Sequence, residues 1–167
     1  MTSSARWRAR SPGVLASGAA VVGRGVRIGV DVGSVRVGVA VSDPDGLLAT
    51  PVAVLRRDPK GGSDLGELAQ LVADRDVVEV VVGLPRSLSG SEGKAAQLAR
   101  EYAALLAERV APVSVRLVDE RLSTVEATRG MQRAGIRARE GRAMVDAAAA
   151  TVILQHALDA ERAGWRT

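Results

Sequence analysis

The sequence contains no cysteine, no phenylalanine and no asparagine, and its one histidine is His156. Without cysteine there are no disulfides, no thiolate nucleophiles and no Cys-based zinc sites. A single histidine excludes His-x-x-x-His metal motifs and gives a Ser-His-Asp triad little support. Aromatic residues are scarce too. Trp7, Tyr102 and Trp165 are the whole set, and both tryptophans lie near the ends. A stacking platform for single-stranded bases is therefore not expected, and recognition of any nucleic acid falls to backbone, shape and charge. Apolar runs stay well short of the about 18 residues a membrane span needs, so no membrane partner is expected. Ser, Asp, Glu and Lys remain as chemical groups, and a site is expected to rest on carboxylates. At 167 residues the chain suits one domain with a real core rather than two lobes. The lack of cysteine fits a cytoplasmic, reducing setting.

The net charge of +4 has a lopsided origin. Arg6, Arg8, Arg10 and Arg24 fall in the first 26 residues, which hold no acid, so the remaining body is formally neutral. Nucleic-acid affinity must then come from a local patch or from this tail. Arginine outnumbers lysine 21 to 2. Arginine is the better bidentate phosphate binder, although a GC-rich coding bias explains the same excess. Residues 1–25 show no helical or strand period. Three arginines precede the run Val14–Val22, as in a signal peptide, but small residues dominate that run and a strand follows almost at once. Residues 1–25 read as a disordered extension, or as the product of a start codon placed too early, and residues 26–164 as the folded domain.

From Arg27 the pattern tightens. Val26–Val32 and Val35–Ser42 read as a hairpin turned at Gly33-Ser34, and Ala49–Leu55 follows a second turn at Asp43–Gly46. Asp64–Arg75 reads as a helix with Leu65, Leu68, Ala69 and Val72 on one face. Val77–Val82 is a short apolar strand of the kind covered on both faces. Ser89–Arg109 reads as a helix opened by a Ser89/Glu92 capping box. Pro112–Val118 is a fifth strand, and helices follow over Ser123–Ala134 and Glu140–Ala163. The order β-β-β-α-β-α-β-α-α predicts an α/β fold. Its mixed five-stranded sheet has three antiparallel strands, then two parallel ones joined through a helix, with helices on both faces.

Three acids sit where solvated acids do not belong. Asp31 lies inside an apolar strand, Glu120 ends the fifth strand, and Asp146 interrupts the apolar stretch Met144–Ala150. Helical spacing puts position 146 on one face with Ala150, Ile153 and Ala157. An unpaired carboxylate there would carry a desolvation penalty of several kcal/mol. Two arrangements avoid it: a buried ion pair with arginine, or a divalent cation shared by several carboxylates. Oxygen-only ligands suit Mg²⁺ or Mn²⁺, and two such ions roughly 4 Å apart serve phosphodiester displacement. Asp119 and Glu120 point to opposite faces of an extended chain. Which of them meets Asp31 is open at this level.

The chain also carries recognisable blocks. Asp31–Asp43 (DVGSVRVGVAVSD) resembles the D-x-G-x-x-R-x-G-x-A-x-S-D opening of the YqgF (RuvX-like) family. Val82-Gly83-Leu84-Pro85 with Gly90 and Gly93 is similar to its second block, Val118–Ala127 to its D-E-R-L-[ST]-T-x-x-A block, and Val145–Leu154 to its final helix. These four blocks, in order, span about residues 27–158. The resemblance implies an RNase H-like fold and a nuclease acting at the 5′ end of pre-16S rRNA in ribosome biogenesis. An older proposal from the same resemblance is Holliday-junction resolution. Carried over by position, Asp31, Glu120 and Asp146 become the metal-binding catalytic acids. The family often has Lys-rich sequence before the last of these; here it is Arg137-Ala138-Arg139-Glu140-Gly141-Arg142. Phosphate binding survives that change, but a proton-donating lysine does not.

Residues 121–142 hold six arginines, Arg121, Arg129, Arg133, Arg137, Arg139 and Arg142, against Glu126 and Glu140. Lying between two proposed catalytic acids, they read as a phosphate-positioning patch, with a solvated helix surface as the plain alternative. Arg36, beside Asp31, pairs with an acid or meets a phosphate. Gly33, Ser34 and the Gly90–Gly93 segment serve turns or approach a phosphate. Gly93-Lys94 lacks the rest of a P-loop, and His156 reads as an ordinary surface residue. The expected partner is structured nucleic acid, an rRNA precursor or branched DNA. A non-catalytic binding module using the same arginines is the competing class. The DVGS stretch also resembles the phosphate loop of the actin–hexokinase–Hsp70 group, but that architecture needs two lobes. Symmetric junction cleavage would need a dimer, and no apolar seam declares one.

Overall fold

The structure is a computed structural model that describes residues 24–87, 89, 91–120 and 140–164, with side chains from Ala147 onward in the last stretch. Five strands, β1 (Arg27–Val32), β2 (Arg36–Ser42), β3 (Ala49–Arg56), β4 (Glu79–Leu84) and β5 (Ser114–Asp119), form one sheet in the order β3-β2-β1-β4-β5. β1 pairs antiparallel with β2, and β2 with β3, while β4 runs parallel to both β1 and β5. Helices α1 (Ser63–Asp74), α2 (Lys94–Val110) and α3 (Glu140–Arg162) complete the described elements. The mixed sheet and its strand directions are as the sequence pattern predicts.

Alternation along the strands sorts the sheet into two faces. Ile28, Val30, Val32, Val37, Val39, Val80, Val82 and Leu84 pack with Leu65, Leu68 and Val72 of α1 and with Tyr102 and Leu106 of α2. Ala40, Val81 and Val118 pack on the other face with Ala150, Ile153, Leu154 and Leu158 of α3. Burying a side chain such as Leu68 or Leu154 contributes roughly 1.5–3 kcal/mol. The approach of α3 depends on Gly29. A Cβ there would lie 2.6 Å from Leu154 Cβ and 2.8 Å from the Ala150 carbonyl oxygen. Farther back, Arg27 Nη2 meets Glu161 at 3.1 Å. Contacts at both ends therefore show α3 running antiparallel to β1, its N-terminal part over the C-terminal end of the strand.

Several boundaries differ from the sequence reading. β4 begins at Glu79 rather than Val77, because the Val77 N–H is still donated to the Val72 carbonyl as α1 closes. α2 begins at Lys94, and the Ser89/Glu92 capping box does not form. The Glu92 carboxylate instead accepts from Arg86 at 3.1 Å and from Arg100 through Nε and Nη2, so it is held by arginines rather than by the helix start. Ser89 shares its hydroxyl with Ser87 and Ser91. β5 begins at Ser114 because a turn, Val113 N–H to Val110 carbonyl, occupies the preceding residues. The helix expected over Ser123–Ala134 lies outside the described residues.

The Ser42-Asp43 pair builds the β2–β3 hairpin. Ser42 Oγ accepts the Arg27 N–H at 2.9 Å and donates to the Asp43 carbonyl. The Asp43 carboxylate accepts the N–H groups of Leu48 at 2.7 Å, Leu47 at 2.8 Å and Asp45 at 3.1 Å. These bonds, led by that of Leu48, hold its carboxyl below the usual aspartate value. A depressed folded-state value means that the contribution to stability is present above the unfolded value and is lost as pH falls through the folded one. Asp43→Ala is expected to lower Tm at neutral pH, with the gap to the parent closing below about pH 4. Thermal unfolding followed across pH checks this.

Candidate active site

Asp31 and Gly29 share the α3 face of β1, since Ile28, Val30 and Val32 occupy the other. Asp31 is 8% exposed, near the strand's C-terminal end, just before the turn in which the Gly33 N–H is donated to the Arg36 carbonyl. Parallel pairing carries the same level across the sheet. Val30 is opposite Val82 on β4, and Gly83 is opposite Val118 on β5. Glu120 follows two residues after Val118 and is 4% exposed.

Gly83 brings the two acids into one space. A Cβ on Gly83 would lie 2.6 Å from Glu120 Oε1 and 2.5 Å from Ile153 Cδ1. The Glu120 carboxylate thus extends over β4, on the α3 face, in the room a side chain at position 83 would fill. Asp119 turns to the opposite face, where Arg86 Nη1 is 3.9 Å away. The question of which acid meets Asp31 is thereby answered in favour of Glu120. The role of Gly83 was not read from the sequence, although a lone glycine in an apolar strand is a signal for close approach.

α3 supplies the level of the third acid. The Ala150 carbonyl lies against Gly29, and position 146 is four residues earlier, about 6 Å along the helix axis. Asp31 is two residues beyond Gly29, about 6.6 Å along the strand. The antiparallel helix therefore brings position 146 level with Asp31. The side chain of Asp146 lies outside the described residues, so the structure places Asp31 and Glu120 on one face of the sheet and the third predicted acid by backbone position alone.

The charges on this face divide into two groups. At the far end, Arg27 pairs with Glu161 at 3.1 Å, and Arg116 with Glu79 at 3.1 Å. There each acid has an arginine beside it. At the near end, Asp31 and Glu120 bring two carboxylates together under an apolar helix. Carboxylates gathered at strand ends in this way are groups that can share a cation. The donor set is hard oxygen, and the missing side chain at Gly83 is what lets the Glu120 carboxylate lie over β4, so the chemistry of the residues fits Mg²⁺ or Mn²⁺.

Arg36 opens β2 on this same α3 face, because Val37 and Val39 face α1 and α2. Arg121, Arg137 and Arg139 lie outside the described residues, and Arg142 is placed only by backbone, in the first turn of α3. Ser34 is exposed in the β1–β2 turn, and His156 is half-buried on α3. Among the described residues, no helix is long and apolar enough to cross a membrane.

Comparison with known proteins agrees with this fold. The family RuvX, described as Holliday junction resolvase, matches residues 25–160. A protein of Frankia casuarinae named "Putative pre-16S rRNA nuclease" is 61% identical over 137 residues, covering 82% of this chain and 68% of its own. Relatives with the same name from Mycobacterium sp. strain KMS and Mycobacterium tuberculosis are 57% and 56% identical, covering 84% and 82% of this chain and 83% and 80% of theirs. Among solved structures, RuvC of Thermus thermophilus superposes with a TM-score of 0.52 at 18% identity, over 83% of this chain and 96% of that one. The same protein in complex with a Holliday junction substrate gives 0.51. That likeness shows a shared RNase H-like fold, and the family match together with the curated relatives establishes that this chain belongs to the RuvX family.

Proposed function

We propose that the chain is a divalent-metal-dependent nuclease that matures the 5′ end of pre-16S rRNA in the cytoplasm, with residues 26–164 as its nuclease domain. The observation that carries this reading is the placement of buried Asp31 and Glu120 across Gly83, with position 146 of α3 at the same level. The names of the relatives supply the substrate. Asp31, Glu120 and Asp146 are the catalytic and metal-binding acids. Bound Mg²⁺ or Mn²⁺, as a pair of ions, would activate the attacking water and stabilise charge on the departing 3′ oxygen. The protein's part is to hold ionised carboxylates at fixed strand ends and to keep the α3 side dry. Arg36, Arg121, Arg137, Arg139 and Arg142 orient the substrate strand through its phosphates.

A second reading, cleavage of branched DNA, is favoured by the family description and by the RuvC-like fold. It requires two sites and hence a dimer for symmetric cutting. One experiment separates the readings. A pre-16S rRNA 5′-leader substrate and a four-way DNA junction are incubated with Mg²⁺ or Mn²⁺, using Asp146→Asn as control. RNA cleavage that disappears in the variant and with chelator is the expected result. Junction cleavage alone would replace rRNA maturation with recombination. Binding of either substrate without turnover, at any metal concentration, would leave a non-catalytic binding module.

A further inference from the structure

We infer that the hydroxyls of Ser87, Ser89 and Ser91 and the ammonium of Lys94 form a cradle for a backbone phosphate of the substrate, on the α2 flank of the acids. This rests on the nuclease reading above and adds to it a contact away from the bond being cut. The three hydroxyls close a ring. Ser87 Oγ lies 2.8 Å from Ser89 Oγ and 2.7 Å from Ser91 Oγ, and the last two are 3.1 Å apart. The backbone holds the ring shut, with the Ser87 N–H donated to the Ser91 carbonyl at 3.2 Å. All three serines are exposed.

Position ties the ring to the chemistry. Its loop leaves β4 at Leu84, one residue past Gly83, over which the Glu120 carboxylate lies. Ser87 is four residues beyond Gly83, within about 14 Å of it even on a fully extended chain. Lys94 opens α2 three residues after Ser91. Charge around the ring is positive, since residues 85–100 hold Arg86, Lys94 and Arg100 against Glu92 alone. Glu92 is already shared by Arg86 and Arg100. Lys94 is exposed, and among the described residues no carboxylate lies within ion-pair distance of it. Hydroxyls that bond only one another beside water contribute little to stability. Each has one proton to donate, and an anionic oxygen takes it in a bond roughly twice as strong as a neutral one. A phosphate brings non-bridging oxygens for the ring and a negative charge for Lys94. A cation is the poorer occupant, because the surrounding charge repels it.

The test measures binding of a stem–loop RNA with a single-stranded 5′ flank by fluorescence anisotropy, without divalent metal, over about 50–200 mM monovalent salt. Lys94→Ala is expected to flatten the slope of log K against log salt by about 0.7–0.9, the value of one lost phosphate contact. Arg75→Ala, past the end of α1 and at the other end of the sheet, keeps the slope. Ser87→Ala, Ser89→Ala and Ser91→Ala combined should lower affinity about tenfold at every salt concentration and leave the slope unchanged, because neutral donors displace no counterions. Ser89→Ala alone guards against a misfolded loop. Its hydroxyl bonds only the other two, so the backbone bond between Ser87 and Ser91 stays. Affinity should then fall about three- to fivefold with Tm unchanged. Parent-like affinity in either serine variant, or an unchanged slope in Lys94→Ala, overturns the cradle and leaves the nuclease reading standing. A parent chain that binds no RNA overturns the nuclease reading and the cradle with it.

Discussion

Glu120→Gln is expected to lower metal-dependent cleavage at least about 100-fold, whereas Asp119→Asn stays within about tenfold of the parent. The lower bound follows from metal sites in general, where losing only an outer-shell partner costs 10–100-fold. On the proposed reading Glu120, over Gly83, touches the ion itself, while Asp119 faces Arg86 on the other side of the sheet. Asp31→Asn should match Glu120→Gln. Circular dichroism of both variants checks that the loss is of cleavage and not of fold. Metal binding offers a second readout. A divalent ion at 100 times its Kd stabilises the folded state by about 2.7 kcal/mol, and this Mg²⁺- or Mn²⁺-induced rise in Tm should vanish in Glu120→Gln and persist in Asp119→Asn. Equal losses in the two variants would show that the assignment of faces at the end of β5 is wrong.

The sheet was legible because its strands are written in β-branched residues separated by turn chemistry. Gly33-Ser34 and Asp43–Gly46 mark both hairpins, and the crossover helix forces the parallel pairing of β4 with β5. Boundaries were less legible where tertiary partners decide them. Glu92 looks like a capping residue until Arg86 and Arg100, six and eight residues away, claim it. Val77 looks like a strand residue until the end of α1 claims its N–H.

The site was legible as an anomaly of polarity. Asp31 is an acid in a strand whose every residue is buried, and Glu120 follows β5 with 4% exposure. Their convergence was not legible, because it depends on the register of three strands and on a residue notable for having no side chain. Gly83 carries no chemistry of its own, and only its neighbours at 2.5 and 2.6 Å reveal what it does.

Arg57 leads to the largest expected effect on stability. Its guanidinium meets Asp64 at 3.0 Å and lies over the ring of Tyr102, with the centroid at 4.8 Å. The Asp64 side chain has no exposure and that of Arg57 about a tenth. Burial, reinforced by the negative charge of Asp64, raises the Tyr102 hydroxyl well above the usual tyrosine value, so it stays neutral across the working range. The cluster ties the end of β3 to α1 and α2. Asp64→Ala strands the Arg57 charge in this low-dielectric pocket and is expected to cost about 3–5 kcal/mol, a fall in Tm on the order of 10 °C. Replacing both partners, Arg57→Leu with Asp64→Leu, should recover most of the loss, because the desolvation penalty disappears with the charges. Thermal and denaturant unfolding of the single and double variants measure this. Cleavage assayed well below the variant's Tm should be preserved, since the cluster lies on the sheet face away from Asp31 and Glu120. A double variant as unstable as the single one would mean that the pair fixes the β3–α1 connection by geometry rather than by neutralising its own charge.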